Sequence, residues 1–79
     1  MVGPHNGSTR EFAGRLRQRR EELNWTRQIL ADRMQVTVAT VGNWERGIGF
    51  PEISSRERLC ALLGKSAKEL RLPPYNEVV

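Results

Sequence analysis

The sequence predicts an all-α fold, a compact bundle of five short helices in one small domain. Apolar residues recur at helical spacing in five segments, and Ser, Thr, Asn or Gly residues punctuate the gaps between them. No segment alternates polar and apolar residues over the length of a β-strand. A chain of 79 residues can bury only one modest core, so we expect a single domain over residues 9–72.

The first two predicted helices are delimited by capping residues. Ser8-Thr9-Arg10-Glu11 has the S-x-x-E spacing of a capping box, which predicts a helix start there. Asn24 suits the helix end, because asparagine tolerates the left-handed conformation. Thr26 is then a plausible N-cap for a second helix over residues 27–34, whose apolar residues share one face.

Three further helices follow the same logic. Thr37 is the expected N-cap of a helix that runs to about Arg46 and stops at Gly47. A second capping box, Ser54-Ser55-Arg56-Glu57, predicts the start of helix four, which ends at Gly64. A third box, Ser66-Ala67-Lys68-Glu69, opens a last short helix that Pro73-Pro74 terminates. Residues 73–79 are expected to be a tail or the start of a linker.

Composition argues against several classes of function. Hydrophobic residues make up 38% and charged residues 28% of the chain, and no apolar run is long enough for a membrane span. Cys60 is the only cysteine and His5 the only histidine, so neither an intramolecular disulfide nor a metal-ligand cluster is expected. No Ser or Cys has a base nearby in sequence, and no Gly-rich phosphate cradle is present. We therefore expect neither an enzyme nor a bound cofactor.

The N-terminal residues carry no secretory signature. Residues 1–8 lack the basic and apolar regions of a signal peptide, which favours a cytoplasmic protein. Their Gly, Pro, Asn and Ser content is typical of a disordered leader or an expression scar.

The charge balance favours a polyanionic partner. The 13 basic residues outnumber the nine acidic ones, the formal net charge is +4, and 11 of the 13 cations are arginine. Arginine suits bidentate contacts with phosphate and guanine, although a basic surface can also serve solubility alone. The run Arg15, Arg17, Arg19 alternates with the core stripe of its helix and is best explained as a solvated face.

A motif in the centre of the chain is more specific than the charge. Residues 25–31 (Trp-Thr-Arg-Gln-Ile-Leu-Ala), Val36-Thr37, residues 41–47 (Val-Gly-Asn-Trp-Glu-Arg-Gly) and Pro51 follow one another at set distances. This pattern resembles the lambda-repressor-like, Xre-type helix-turn-helix family over about residues 11–72. The resemblance implies a sequence-specific binder of double-stranded DNA, a transcriptional regulator or its DNA-binding domain, with residues 37–46 as the recognition helix in the major groove.

The resemblance also assigns roles to individual residues. The family's base-contacting positions correspond to Val38, Ala39, Thr40 and Asn43. Its phosphate-contacting positions correspond to Arg27, Gln28, Thr37 and Arg46. Family members often have glutamine where this chain has Arg27, and an arginine beside a helix N-terminus can still bind a phosphate. Asn43 can recognise adenine, whereas Val38 and Ala39 offer only apolar contacts to a thymine methyl group.

Arg20 and Glu45 match a family pair that joins helix one to the end of helix three. The resemblance implies a partly buried salt bridge with a structural role. Trp44, next to Glu45, is expected in the core rather than at the surface.

Two matters stay open at the level of sequence. Because the base-contacting set is poor in polar groups, a protein-interaction module on the same fold is the main alternative, docking through Ile29, Val38 or the tail Tyr75 to Val79. The chain could also pair as a homodimer on a palindromic operator, or form part of a longer regulator whose further domains follow Pro73.

Overall fold

A computed structural model of the chain describes the backbone of residues 4–73 and the side chains of residues 9–73. Within that part the structure is all-helical and contains no strand, which confirms the predicted fold class. The five helices are α1 (Pro4–Glu22), α2 (Arg27–Met34), α3 (Val38–Glu45), α4 (Ile53–Leu63) and α5 (Ala67–Leu70).

The helices pack around one apolar core. Helix α3 lies against α1 and α2, α5 packs on α1 and α4, and α2 also contacts α4. Each helix contributes buried side chains to a single cluster, which the segment after α5 completes: Phe12, Leu16, Leu30, Ala31, Met34, Val41, Trp44, Leu59, Leu63, Leu70 and Leu72. Trp44 is therefore a core residue, as its position in the sequence predicted.

Side-chain caps begin three of the helices where the sequence predicted them. The hydroxyl of Thr26 accepts a hydrogen bond from the backbone N–H of Ile29 at 3.1 Å, and that of Thr37 accepts one from Thr40 at 3.1 Å. At α5, Ser66 and Glu69 form a complete capping box, in which each side chain accepts from the other residue's backbone N–H. These contacts join residues three positions apart, so the local sequence pattern was able to predict them.

The predicted ends of α1, α3 and α4 also hold. Asn24, Gly47 and Gly64 all adopt left-handed conformations, with φ of 61°, 76° and 66°. After α3, the N–H of Gly47 donates to Trp44 and that of Ile48 donates to Asn43, the paired bonds of a Schellman motif.

Two predicted helix starts were wrong. Helix α1 begins at Pro4, so Ser8 lies inside the helix and residues 4–8 of the expected leader are helical. Proline is well tolerated in the first turn because the N–H that it lacks has no partner there. Helix α4 begins at Ile53 with Glu52 as N-cap and no side-chain cap, so Ser54 is already helical.

The earlier start of α4 has a tertiary cause. The Pro51 side chain is fully buried, and its carbonyl accepts a hydrogen bond from Arg56 at 2.9 Å. This anchor fixes the direction of the chain two residues before the helix begins. At the other end of the domain, α5 stops at Leu70 and Arg71 adopts a left-handed conformation ahead of Pro73. The remainder of the expected tail lies outside the described residues.

Among residues 4–73, none of the helices has both the length and the apolar character that crossing a bilayer requires.

Candidate nucleic-acid interface

Helices α2 and α3 form a tight helix-turn-helix unit. Gln35 adopts a left-handed conformation with φ of 61°, and the N–H of Val36 donates back to Ala31 at 3.0 Å. Val36 also packs its side chain on the core, so a backbone hydrogen bond and a side-chain contact both hold the turn in place. The turn therefore sets the direction in which α3 leaves α2.

The two faces of α3 have different surroundings. Val41 and Trp44 point into the core. The opposite face carries what we call the outer stripe: Ala39, Gly42, Asn43 and Arg46, which recur at helical spacing. Ala39 and Arg46 are exposed, Asn43 is half-buried and Gly42 is buried.

The residues predicted to contact bases all lie at the surface of α3. Val38 and Ala39 are exposed, and Thr40 and Asn43 are half-buried. Thr40 is also bound to the N-cap, because its hydroxyl lies 2.9 Å from that of Thr37. Thr37 is thus engaged in capping, and its exposed position leaves it at the leading edge of the helix.

Arg46 and Asn43 are brought together by the structure. The guanidinium of Arg46 donates to the side-chain oxygen of Asn43 at 2.6 Å. The same guanidinium covers Gly42, where an added Cβ would lie 3.6 Å from its terminal nitrogen. The spacing of three residues on one helix face is a signal that sequence analysis could have used.

The phosphate-contact candidates on α2 lie at its N-terminus. Gln28 is exposed and donates to Asp32 within the same helix at 2.9 Å. Arg27 has a side chain that is 45% exposed, and its Nε donates to Glu45 at 3.1 Å. The contact with Glu45 was not predicted, because it joins residues that lie 18 positions apart.

Arg20 and Glu45 form a bidentate ion pair beneath α3. The Nε of Arg20 lies 2.6 Å from one carboxylate oxygen of Glu45, and a second nitrogen lies 3.0 Å from the other. Arg20 also donates to the carbonyl of Trp25 at 2.8 Å. The side chains of Arg20 and Glu45 are only 10% and 1% exposed, so the pair joins α1, the α1–α2 turn and α3 from inside.

Both members of this pair are held in their charged forms. Burial disfavours the charge on Glu45 and is the largest single influence, but the hydrogen bonds from Arg20 and Arg27 together outweigh it and lower the pKa of Glu45. The hydrogen bond to Glu45 raises the pKa of Arg20 above its ordinary value. Glu45 therefore stays ionised below the normal range of a glutamate.

The arginine run of α1 has separate roles. Arg17 is solvent-exposed and pairs with Glu21 at 3.1 Å. Arg19 instead donates to the carbonyl of Leu63 at 2.7 Å, which ties α1 to the end of α4. Within the described residues, no group of three or more His, Cys, Asp or Glu side chains could hold a metal ion.

Comparison with known families agrees with this geometry. The family model described as a helix-turn-helix domain matches residues 11–72, which contain the buried Arg20–Glu45 pair, the turn and the outer stripe. No curated protein and no solved structure matches the chain significantly. Because the family model covers most of the sequence, the resemblance noted from the sequence is confirmed, and the chain belongs to the helix-turn-helix domain family.

Proposed function

We propose that this chain binds double-stranded DNA sequence-specifically in the cytoplasm, as a transcriptional regulator or its DNA-binding domain, with α3 in the major groove. The observation that carries the proposal is the outer stripe, with Ala39 and Arg46 exposed, on a helix whose other face is fixed by the core and by the buried pair Arg20–Glu45. A rigidly held helix can present base-contacting groups without the entropic cost of ordering them.

The shape of the outer stripe suits close approach to base edges. Ala39 is exposed and has a small side chain, so the backbone of α3 can come near the floor of a groove about 12 Å wide at that position. Val38 and Ala39 then offer apolar contacts for thymine methyl groups, and Thr40 and Asn43 offer polar contacts.

Phosphate contacts come from the N-termini of α2 and α3. Arg27 and Gln28 open α2, and Thr37 caps α3. The free backbone N–H groups of a first helical turn bind anions, and Arg27 adds a positive charge beside them. These contacts would fix the position of α3 along the groove.

A salt titration tests the proposal. The chain is titrated into a random-sequence duplex and, as control, into one strand of that duplex at several salt concentrations. Several phosphate contacts predict a steep loss of affinity, with a log–log slope of about −0.9 per contact on duplex. A flat response, or equal affinity for the single strand, would contradict groove binding.

A second candidate function is protein interaction through the start of α4. Ile53 is 72% exposed and lines an apolar groove of about 300 Å³ with Arg56, Glu57, Cys60 and Ala67. This groove would be the contact surface for a protein partner. In that case association with DNA would be absent or insensitive to salt, and the salt titration separates the two functions.

The assembly on DNA is also a matter for proposal. A homodimer on a palindromic operator would place two copies of α3 about 34 Å apart, one helical turn of DNA. Footprints of selected duplexes would show an inverted repeat for such a dimer, and one short half-site for a monomer. Further domains of a longer regulator would follow Pro73.

A further inference from the structure

We propose that Asn43 and Arg46 act as one unit that recognises guanine in the major groove. This inference rests on the proposed DNA-binding function and assigns Arg46 to base recognition, whereas the sequence resemblance placed it at a phosphate.

The position of the Arg46 side chain supports base recognition. Helical side chains lean toward the N-terminus of their helix, and Arg46 follows this direction back along α3. Its guanidinium lies over Gly42 and beside Asn43, in the middle of the outer stripe. A side chain that reached sideways to the DNA backbone would leave Gly42 uncovered.

Gly42 leaves room for the Arg46 guanidinium. An added Cβ at residue 42 would lie 3.6 Å from its terminal nitrogen, an ordinary van der Waals contact, so a side chain longer than that of alanine would compete with Arg46 for this surface. With glycine there, the guanidinium lies over the backbone of α3 in the outer stripe. The stripe thus carries a cation where side-chain bulk is least.

The free hydrogen-bonding groups of the unit are mainly donors. Arginine has five N–H donors and no acceptor. The Asn43 side-chain oxygen accepts from Arg46, which occupies one of its two lone pairs, and the Asn43 amide nitrogen adds two N–H donors. A bidentate contact of Asn43 with adenine needs the same oxygen as an acceptor, so Arg46 competes with adenine for it.

Guanine is the base that matches a set of donors. Its major-groove edge carries two acceptors, N7 and O6, whereas adenine mixes a donor with an acceptor and cytosine presents a donor. Thymine has one acceptor beside its methyl group. The unit therefore prefers guanine over the other three bases.

The test combines selection with charge-preserving variants. Selection from random duplexes with the unmodified chain gives the preferred site, and each guanine in that site is then replaced in turn by the other bases. Binding to this panel is measured for the unmodified chain, for Arg46→Lys and for Arg71→Lys, the matched control at the exposed end of α5. Lysine keeps the positive charge but loses the planar fork.

The inference predicts that the selected site contains a guanine and that the preference for this base depends on Arg46. Arg46→Lys should reduce the preference for that guanine by about 5- to 150-fold, with an unchanged salt slope, while Arg71→Lys changes neither. Asn43→Asp, which keeps an acceptor for Arg46 but removes the amide N–H donors, should reduce the preference for the same guanine.

Three results would overturn the inference, and one of them would also overturn the proposed DNA-binding function. A selected site without guanine, or an equal loss of affinity for every duplex with Arg46→Lys, refutes guanine recognition and leaves DNA binding intact. Absence of salt-dependent binding to any duplex refutes the proposed function as well. Thermal melts of each variant establish that the domain is folded, which is expected because residues 46 and 71 are exposed.

Discussion

Two neighbouring residues at the C-terminal end of α3 have different surroundings. Glu45 points inward, is almost fully buried and receives hydrogen bonds from two arginines. Arg46 points outward, is exposed and lies along the outer stripe. The inward residue holds the helix in place and the outward residue is free for a partner, so stability and binding should respond to different substitutions.

The largest expected effect comes from breaking the buried pair Arg20–Glu45, which we call the inward pair. Arg20→Ala leaves the Glu45 carboxylate buried without its bidentate partner and should lower the free energy of unfolding by roughly 3–5 kcal/mol. Arg17→Ala is the control, because Arg17 pairs with Glu21 at the surface and its removal should cost less than about 1 kcal/mol. Urea unfolding of both variants measures the difference. Equal losses would mean that the buried pair does not hold α3.

Arg27 contacts buried Glu45 and is also partly exposed to solvent. Its substitution should therefore separate the effects on stability from those on DNA binding. It donates to Glu45 but is 45% exposed, so Arg27→Ala should cost less than about 1 kcal/mol of stability. In DNA binding the same change should reduce the magnitude of the salt slope by about 0.9, one phosphate contact. Urea unfolding and the duplex salt titration give the two numbers. A large loss of stability with an unchanged slope would assign Arg27 to the inward pair alone.

Acid should weaken the inward pair selectively. Because the pKa of Glu45 is lowered in the folded state, its ionised form stabilises the fold above the ordinary glutamate value of 4.5. This contribution is lost as the pH falls below 4.5 and through the lowered pKa of the folded state. Arg20 stays protonated throughout, since its pKa is raised.

Glu45→Gln checks the direction of this dependence. The free energies of unfolding of the two proteins should differ most near neutral pH and converge as the pH falls below 4.5 and through the lowered pKa of Glu45. A difference that is constant with pH would show that the charge of Glu45 does not stabilise the fold.

The smallest expected effect comes from the turn between α2 and α3, which is part of neither the buried Arg20–Glu45 pair nor the outer stripe. Gln35 holds a left-handed conformation that costs a non-glycine residue about 1 kcal/mol. Gln35→Gly should therefore stabilise the fold by up to about 1 kcal/mol. The higher conformational entropy of glycine in the unfolded chain offsets part of this gain. The weak 3.4 Å contact from Arg58 would be lost with the side chain. Stabilisation without a change in DNA affinity is the expected result, and destabilisation would contradict it.

Local chemistry explains which parts of the fold were predictable. Thr26, Thr37 and Ser66 cap helices through bonds to residues three positions away, and Gly47 and Gly64 take conformations that suit glycine. The same local rule failed at Ser8 and Ser54. The S-x-x-E spacing also occurs inside helices, where a preceding proline can move the helix start earlier.

Tertiary contacts explain what sequence analysis missed. Nothing in the spacing of Arg27 and Glu45 indicates that they meet, because their contact depends on the packing of α2 against α3. The left-handed Gln35 was not predicted either, since neither its side chain nor its neighbours mark it as a glycine-like position. Arg46 and Asn43 are different: their contact was within reach of helical periodicity, but the family pattern had assigned them separate roles.

The most direct test of the account is to block the outer stripe and leave the core intact. Ala39→Glu places a bulky negative charge in the stripe, and Ala61→Glu makes the same change at an exposed position of α4. Both variants should melt within a few degrees of the unmodified chain, because exposed substitutions change stability by about 0.5 kcal/mol or less. Anisotropy titrations with duplex DNA should show binding abolished by Ala39→Glu and retained by Ala61→Glu. Equal affinities of the two variants would contradict entry of α3 into the groove.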